Sequence, residues 1–386
     1  MSSANTLTGL IPVIYQGLDT VVRERVGLVS KVTLDASASN AAVNQTVRSF
    51  ITPASSAVSI TPGAYAPDSG GQSLAYNDIT ISNAQAVPIQ WTGEEQRAVG
   101  GEYNNMLADQ FSQAFRTLTN QVESTLATAA IAGASRAYAF GNATVKPFST
   151  ANDLSDSAGV LKILDDNGAP FQDLAYVANN GTMSQFRGKQ SVLFKVNEAG
   201  TADLLRKGIM GDLQGMAVGQ SAQLTLHTNG TDNGSYVLNG AHTVGATTIA
   251  VKTGAGTILA GDCVTITSGG VANTYVAATA LAAGSFTINL PGLMVAGADS
   301  DTVKTFGNYT PNVALNRAGI ILLARQPVMP AGGDMAVDVM PITDPVSGIT
   351  YQVALYRGYR QIHMEVGLAW GAKVVKPQFI ALNIGA

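Results

Sequence analysis

The sequence predicts an α+β protein in which a long spine helix packs on a β-sheet and an all-β domain is inserted in the later half of the chain. Three observations carry that prediction. From Thr92 to Arg136 the chain has no proline, and Leu107, Phe111, Ala114, Leu118, Val122, Leu126 and Ala129 recur three or four residues apart, forming one stripe of a 3.6-residue period. From Gln361 to Trp370 the chain alternates, with Ile362, Met364, Val366, Leu368 and Trp370 on one dry strand face. Between about His227 and Lys304 the composition shifts to Thr, Gly, Ala and Val, with short strand-like runs separated by turn residues.

The spine helix starts at a capping box, Thr92 followed by Glu95. Uninterrupted, it would be about 60 Å long. Its weak point is Gly100-Gly101, where each glycine costs roughly 1 kcal/mol of helix relative to alanine, so a hinge is expected there. The helix stripe is expected to lie under the dry face of the 361–370 strand.

In chain order, residues 10–32 read as an amphipathic helix with Pro12 in its first turn and Ile14, Leu18, Val21, Val22 and Val26 on one face. From Ala36 to Gly93 the charged residues are Arg48, Asp68 and Asp78, and strand-like runs at 46–52 and 86–91 flank a turn-rich centre. A disordered linker and a long hairpin both fit. A hairpin this poor in internal contacts needs a partner surface. LSDSAGVLKILDDNG (154–168) reads as a helix closed by Asn167-Gly168, AYVAN as a buried strand, and NGTMSQF as the start of another helix. Gly208, Gly211, Gly215 and Gly219 punctuate a turn-and-strand region with no Gly-Lys-Ser/Thr of a phosphate loop. After the inserted domain, NVALNRAGIILLARQPVMPAGG reads as a buried strand with a proline-closed exit, and KPQFIALNIG as a final strand of the same sheet as 361–370.

Composition narrows the function. The 386 residues are only 12% charged, with a formal net charge of −4 and no basic run. So little charge on so long a chain implies a surface largely occupied by other protein, and gives no footprint for reading DNA or binding an anionic membrane. A basic region is missing before the first mild apolar run, which argues against a signal peptide, and no apolar run reaches spanning length. The lone Cys263 excludes an internal disulfide framework and reads as a buried small residue. His227, His242 and His363 have no second ligand at helical or strand spacing, so no metal or cofactor site is expected, and no nucleophile–base constellation is present.

The order of these parts resembles the tailed-bacteriophage major capsid (coat) proteins of the Hong Kong 97-like fold, in particular the short-tailed lambdoid branch that carries an inserted β-barrel domain. The resemblance spans nearly the whole chain. It rests on RTLTNQVESTLATAAIAG in the spine, LLRKGIMGDLQGMAVGQSAQLTLHT before the insertion, GDCVTI within it and NVALNRAGIILLARQPVMPAG after it. It implies an N-terminal arm at 1–45, an extended loop at 46–92, and a peripheral domain at 93–150 and 359–386. An axial domain at 151–225 and 305–358 and an inserted domain at 226–304 complete the assignment. It implies no enzyme, but an icosahedral shell of hexamers and pentamers around double-stranded DNA, assembled in a host bacterial cytoplasm with a scaffolding protein and a portal and expanded on packaging. A decoration protein is left open. Some members cross-link a loop lysine to a neighbour's asparagine; residues 36–93 contain no lysine, so covalent cross-linking is not expected. An encapsulin-like cellular nanocompartment shell is the alternative.

Contacts between subunits are expected from Arg48 in the loop and from Glu94, Glu95, Arg97, Glu102, Arg116 and Glu123 on the polar side of the spine. The competing reading of that polar side is a solvated helix face worth little. Gly100 and Gly101 are the expected hinge between rigid parts that must fit non-identical positions.

Overall fold

A computed structural model of the protein describes residues 7–20, 27–36, 40–51, 75–139, 146–149, 154–188, 212–232 and 234–385, with isolated positions 57, 59, 60 and 62. The chain begins with α1 (Leu7–Thr20), β1 (Thr33–Asp35), the hairpin β2 (Thr46–Ile51) and β3 (Ala75–Thr80), and β4 (Asn83–Thr92). Then come α2 (Gly93–Val99), α3 (Tyr103–Gly133), β5 (Arg136–Ala139), α4 (Ser155–Asp166), β6 (Leu174–Ala178) and α5 (Asn180–Gly188). β7 (Asp212–Leu213) and β8 (Met216–Gln220) precede the all-β unit, whose strands are β9 (Tyr236–Leu238), β10 (Thr248–Lys252), β11 (Cys263–Ser268), β12 (Val271–Val276), β13 (Ser285–Thr287) and β14 (Thr302–Thr305). The chain closes with β15 (Thr310–Asn316), β16 (Ile320–Arg325), β17 (Ala336–Thr343), β18 (Thr350–Gly358), β19 (Gln361–Val374) and β20 (Ile380–Gly385).

Two large sheets meet over α3. In the first, β19 pairs with β4 along one edge and with β18 and then β16 along the other, while β1 and β17 lie outside β16 and β18. The second runs β13-β10-β9-β14-β11-β12-β5-β20-β15-β6-β8-β7, so the all-β unit and the body share one continuous sheet through the β12–β5 pair. The stripe expected on the spine is buried up to Leu126, with Ala129 half-exposed: Leu107, Phe111, Ala114, Leu118, Val122 and Leu126 form one core with Met364, Val366, Leu368 and Trp370 of β19. Polar groups inside this core are paired across it, Trp370 Nε1 donating to Thr125 Oγ1 at 3.0 Å and the hydroxyls of Thr119 and Tyr351 meeting at 2.8 Å. Smaller cores lie under α4 and α5 and within the all-β unit.

The expected break in the spine is present. α2 ends at Gly100, whose backbone adopts φ +61° and ψ −123°, and a 3-10 turn over Gly100–Glu102 leads into α3. Open space surrounds both glycines, so the constraint at Gly100 is purely in the backbone. Gly100→Ala should destabilise the fold by about 1–3 kcal/mol, because an L residue is strained at that φ. Gly101→Ala, with no positive φ to accommodate, should be neutral or slightly stabilising, and denaturant melts of the pair check the contrast.

Four readings are corrected. The first helix, described over Leu7–Thr20, does not run to 32, and Pro12 lies inside it rather than in a first turn; residues 29–31 form a 3-10 turn and β1 pairs in parallel with β16, so tertiary hydrogen bonding overrides the local period there. Val21, Val22 and Val26 lie outside the described residues, as do Gly208 and Gly211 and most of the turn-rich centre of 46–92. The strand at 86–91 does not close a hairpin with 46–52: β2 pairs with β3, Arg48 opposite Asp78 and Phe50 opposite Tyr76, while β4 pairs along ten residues with β19. NVALNRAGIILLAR is two strands in different sheets, β15 and β16, separated by a 3-10 turn at which Asn316 Oδ1 accepts from Ala318 N. Likewise β20 joins the second sheet, between β5 and β15, because the turn at Pro377–Phe379 redirects the chain after β19.

Candidate functional site

The two histidines of the all-β unit and the lone cysteine are held within the fold. The described residues contain no group of three or more His, Cys, Asp and Glu able to hold a metal ion. His227 Nε2 lies 2.9 Å from Asp262 Oδ1, and His242 Nε2 accepts from Ala250 N. Cys263 is fully buried, and that burial pushes its thiol up to about 12, so it stays protonated and unreactive at neutral pH. No described helix is long and apolar enough to cross a membrane. What the fold does present is a set of exposed surfaces rich in aromatic and charged side chains.

The first surface is the tip formed by α2 and the β18–β19 turn. Thr92 Oγ1 accepts from Glu95 N while the Glu95 carboxylate accepts from Thr92 N at 2.8 Å, and this cap holds the carboxyl below its ordinary pKa. Gly93 N donates to Arg360 O at 3.1 Å, fixing the turn against the helix. Beneath them Trp91 packs edge-on to Tyr103 and donates to Gln110 Oε1 at 2.6 Å. On this rigid base sits a cleft of about 760 Å³ lined by Glu94, Arg97, Tyr359, Arg360 and Gln361. Among the described residues, Glu94, Arg97 and Arg360 make no ion pair, and Tyr359 is 90% exposed. Sequence reasoning missed Tyr359 and Arg360; the signal available was an aromatic flanked by arginines at the turn between two alternating strands.

The second surface is the hairpin. Arg48 Nε donates to Asp78 Oδ1 at 2.9 Å, its guanidinium lies 3.8 Å from the Tyr76 ring centroid, and the arginine holds the Asp78 carboxyl below its usual value. Beside them Phe50 is 69% exposed, leaving an aromatic face in water on a ribbon that is two-stranded among the described residues. Among the described residues the hairpin is anchored at its base. Ile79 packs with Leu323 and Ala369, Lys373 Nζ donates to Asp78 O, and the ribbon crosses β19 so closely that a Cβ at Gly371 would collide with the Thr80 carbonyl.

A third feature is the groove of about 400 Å³ between β4 and α3, lined by Val87, Pro88, Ile89, Met106, Gln113 and Thr117. Among the described residues β4 pairs with β19 alone, so its other edge is free.

The structure scatters the expected contact residues. Glu94, Glu95 and Arg97 are exposed at the tip, Glu102 follows them and accepts from Asn105 Nδ2, Arg48 sits on the hairpin, and Arg116 is half-buried on α3. Glu123 is a correction: it is fully buried, and its carboxylate accepts from Gly27 N and Leu28 N at 2.8 Å and from Val29 N at 3.0 Å. It clips the chain's own N-terminal segment to the spine and is not available to a neighbour. Burial pushes its carboxyl above the usual value, opposed by these N–H groups and the Ser221 hydroxyl.

No protein-family model matches the sequence, and no curated protein matches it. Solved structures do. The chain is similar to that titled "Capsid structure of the Cyanophage P-SCSP1u", at 11% identity and a TM-score of 0.52 over 94% of this chain and 89% of that one. It also matches "Capsid of native GTA particle computed with C5 symmetry", at 10% identity and a TM-score of 0.48 over 95% and 92% of the two chains. A chain from "Mycobacterium phage Che8" gives 12% identity and 0.44 over 95% and 90%. The cyanophage likeness establishes the architecture: this chain has the Hong Kong 97-like capsid fold, with a long helix on a large sheet.

Proposed function

We propose that this chain is the major capsid protein of a tailed bacteriophage, self-assembling as hexamers and pentamers into the icosahedral head that encloses double-stranded DNA. The observation that carries the reading is the cyanophage capsid fold over nearly the whole chain. The surfaces support it. An exposed aromatic ribbon and a tip carrying charges of both signs are surfaces that copies of the same chain can cover and complement. The hairpin face of Phe50 and Tyr76 docks on a neighbouring copy, and Glu94, Glu95, Arg97, Glu102 and Arg116, with Arg360, make the charged contacts where tips meet. A net charge of −4 suits a container that must not grip phosphate. Assembly through a scaffolded precursor with a portal, the arm, loop, peripheral, axial and inserted domain assignments, and the lambdoid branch follow from the family resemblance.

Arg97→Gln combined with Arg360→Gln should lower the assembled fraction on the order of tenfold or more, as removal of central charged contacts does, while leaving the melting of unassembled protein unchanged. Sedimentation and thermal melting together check this. Normal shell yield from the double variant would remove the tip from the contact. A shell that encloses DNA in its native setting supports a phage coat; one that encloses a protein cargo supports the nanocompartment alternative.

A further inference from the structure

The last turn of α3 finishes against the all-β unit, and one side chain of that unit closes it. The final carbonyls of a helix have no intrahelical donors and carry its partial negative charge. Here Asn289, two residues beyond β13, uses its side-chain amide to donate to both Ala132 O and Ala134 O, each at 2.8 Å. Two other connections run through the same corner. β12 pairs with β5, Tyr275 opposite Arg136, immediately after the helix. At the entrance to the unit the fully buried Asp262 carboxylate accepts from Leu259 N at 2.7 Å and Gly230 N at 3.0 Å and meets His227 Nε2.

We propose that Asn289 is a positioning residue that terminates the spine helix from within the all-β unit, so that the helix end and that unit open and close as one cooperative element. The unit is then a brace that fixes where the spine stops and the second sheet starts. Neither the helix stripe nor the strand pattern requires this, since an appended domain could hang from its two connecting chains alone.

Native-state hydrogen exchange on the full chain tests it with Asn289→Ala and Asn289→Asp. Alanine should lower protection about tenfold in both 128–136 and β11–β12, and aspartate should lower it further because its carboxylate faces two carbonyls at the negative helix end. A coupling measurement keeps the test open if the aspartate variant folds poorly. Thr128→Gly, at an exposed site in the last turns, should reduce β11–β12 protection in the parent chain and do so much less in the Asn289→Ala background. Loss of protection confined to the all-β unit, or an equal effect of Thr128→Gly in both backgrounds, would overturn the proposal.

Discussion

Glu123→Ala should destabilise the protein by about 2–4 kcal/mol, because it leaves the N–H groups of Gly27, Leu28 and Val29 buried without an acceptor, each worth about 1–3 kcal/mol, offset by no longer burying a charge. Denaturant unfolding reads the loss, and hydrogen exchange at 27–29 should locate it. The pH dependence has an unusual sign. The Glu123 carboxyl is held above its ordinary value by burial, so the folded state binds this proton more tightly than the unfolded chain does. Its contribution to stability is therefore fully present below the unfolded-state value, falls as pH rises through the raised one, and is flat beyond it. Glu123→Gln should remove that slope. The isosteric amide can still accept from Gly27 and Leu28, but its NH₂ opposes the Val29 donor, so its stability should lie between the alanine variant and the parent. An unchanged slope in Glu123→Gln would mean that another group titrates there.

Leu118→Ala should cost about 3–5 kcal/mol and Val122→Ala about 1–3 kcal/mol, since both side chains are fully buried between the spine and the sheet and neither site can collapse easily. The loss belongs to the fold of the single chain, so it should appear in the melting of unassembled protein. An unchanged melt would sink the packing of α3 on β19. Together these substitutions separate two faces of one helix, one resting on the sheet and one holding the N-terminal segment.

That second face explains what was legible in the sequence and what was not. The capping box, the Gly100 break, the apolar stripe and the alternation of β19 are encoded by neighbours along the chain, and periodicity reads neighbours. Ala108, Ser112, Thr119, Glu123 and Ala127 also recur at helical spacing and are buried, but their small or polar character reads as solvent-facing. Distant segments bury them: α1 approaches Ala108, Tyr351 of β18 meets Thr119, and a carboxylate can lie at 123 only because backbone N–H groups from residues nearly a hundred positions away converge on it. Sheet membership is equally non-local. Nothing in IALNIG distinguishes pairing with β15 from pairing with β19, and the pairing of β2 with β3 instead of β4 depends on register rather than composition. At the tip, Arg97 and Glu94 were legible as exposed charges on a capped helix. Their companion Arg360 became visible only when β4 and β19 brought α2 against the β18–β19 turn.

The most direct test of the account is electron microscopy of the purified chain, expressed alone and together with a candidate scaffolding protein. Closed, uniform shells or ring-shaped capsomers are the predicted result, and the Arg97/Arg360 double variant should fail to give them. A monodisperse monomer under both conditions, at high concentration, would contradict the proposal that the exposed hairpin and the charged tip are covered by copies of the same chain.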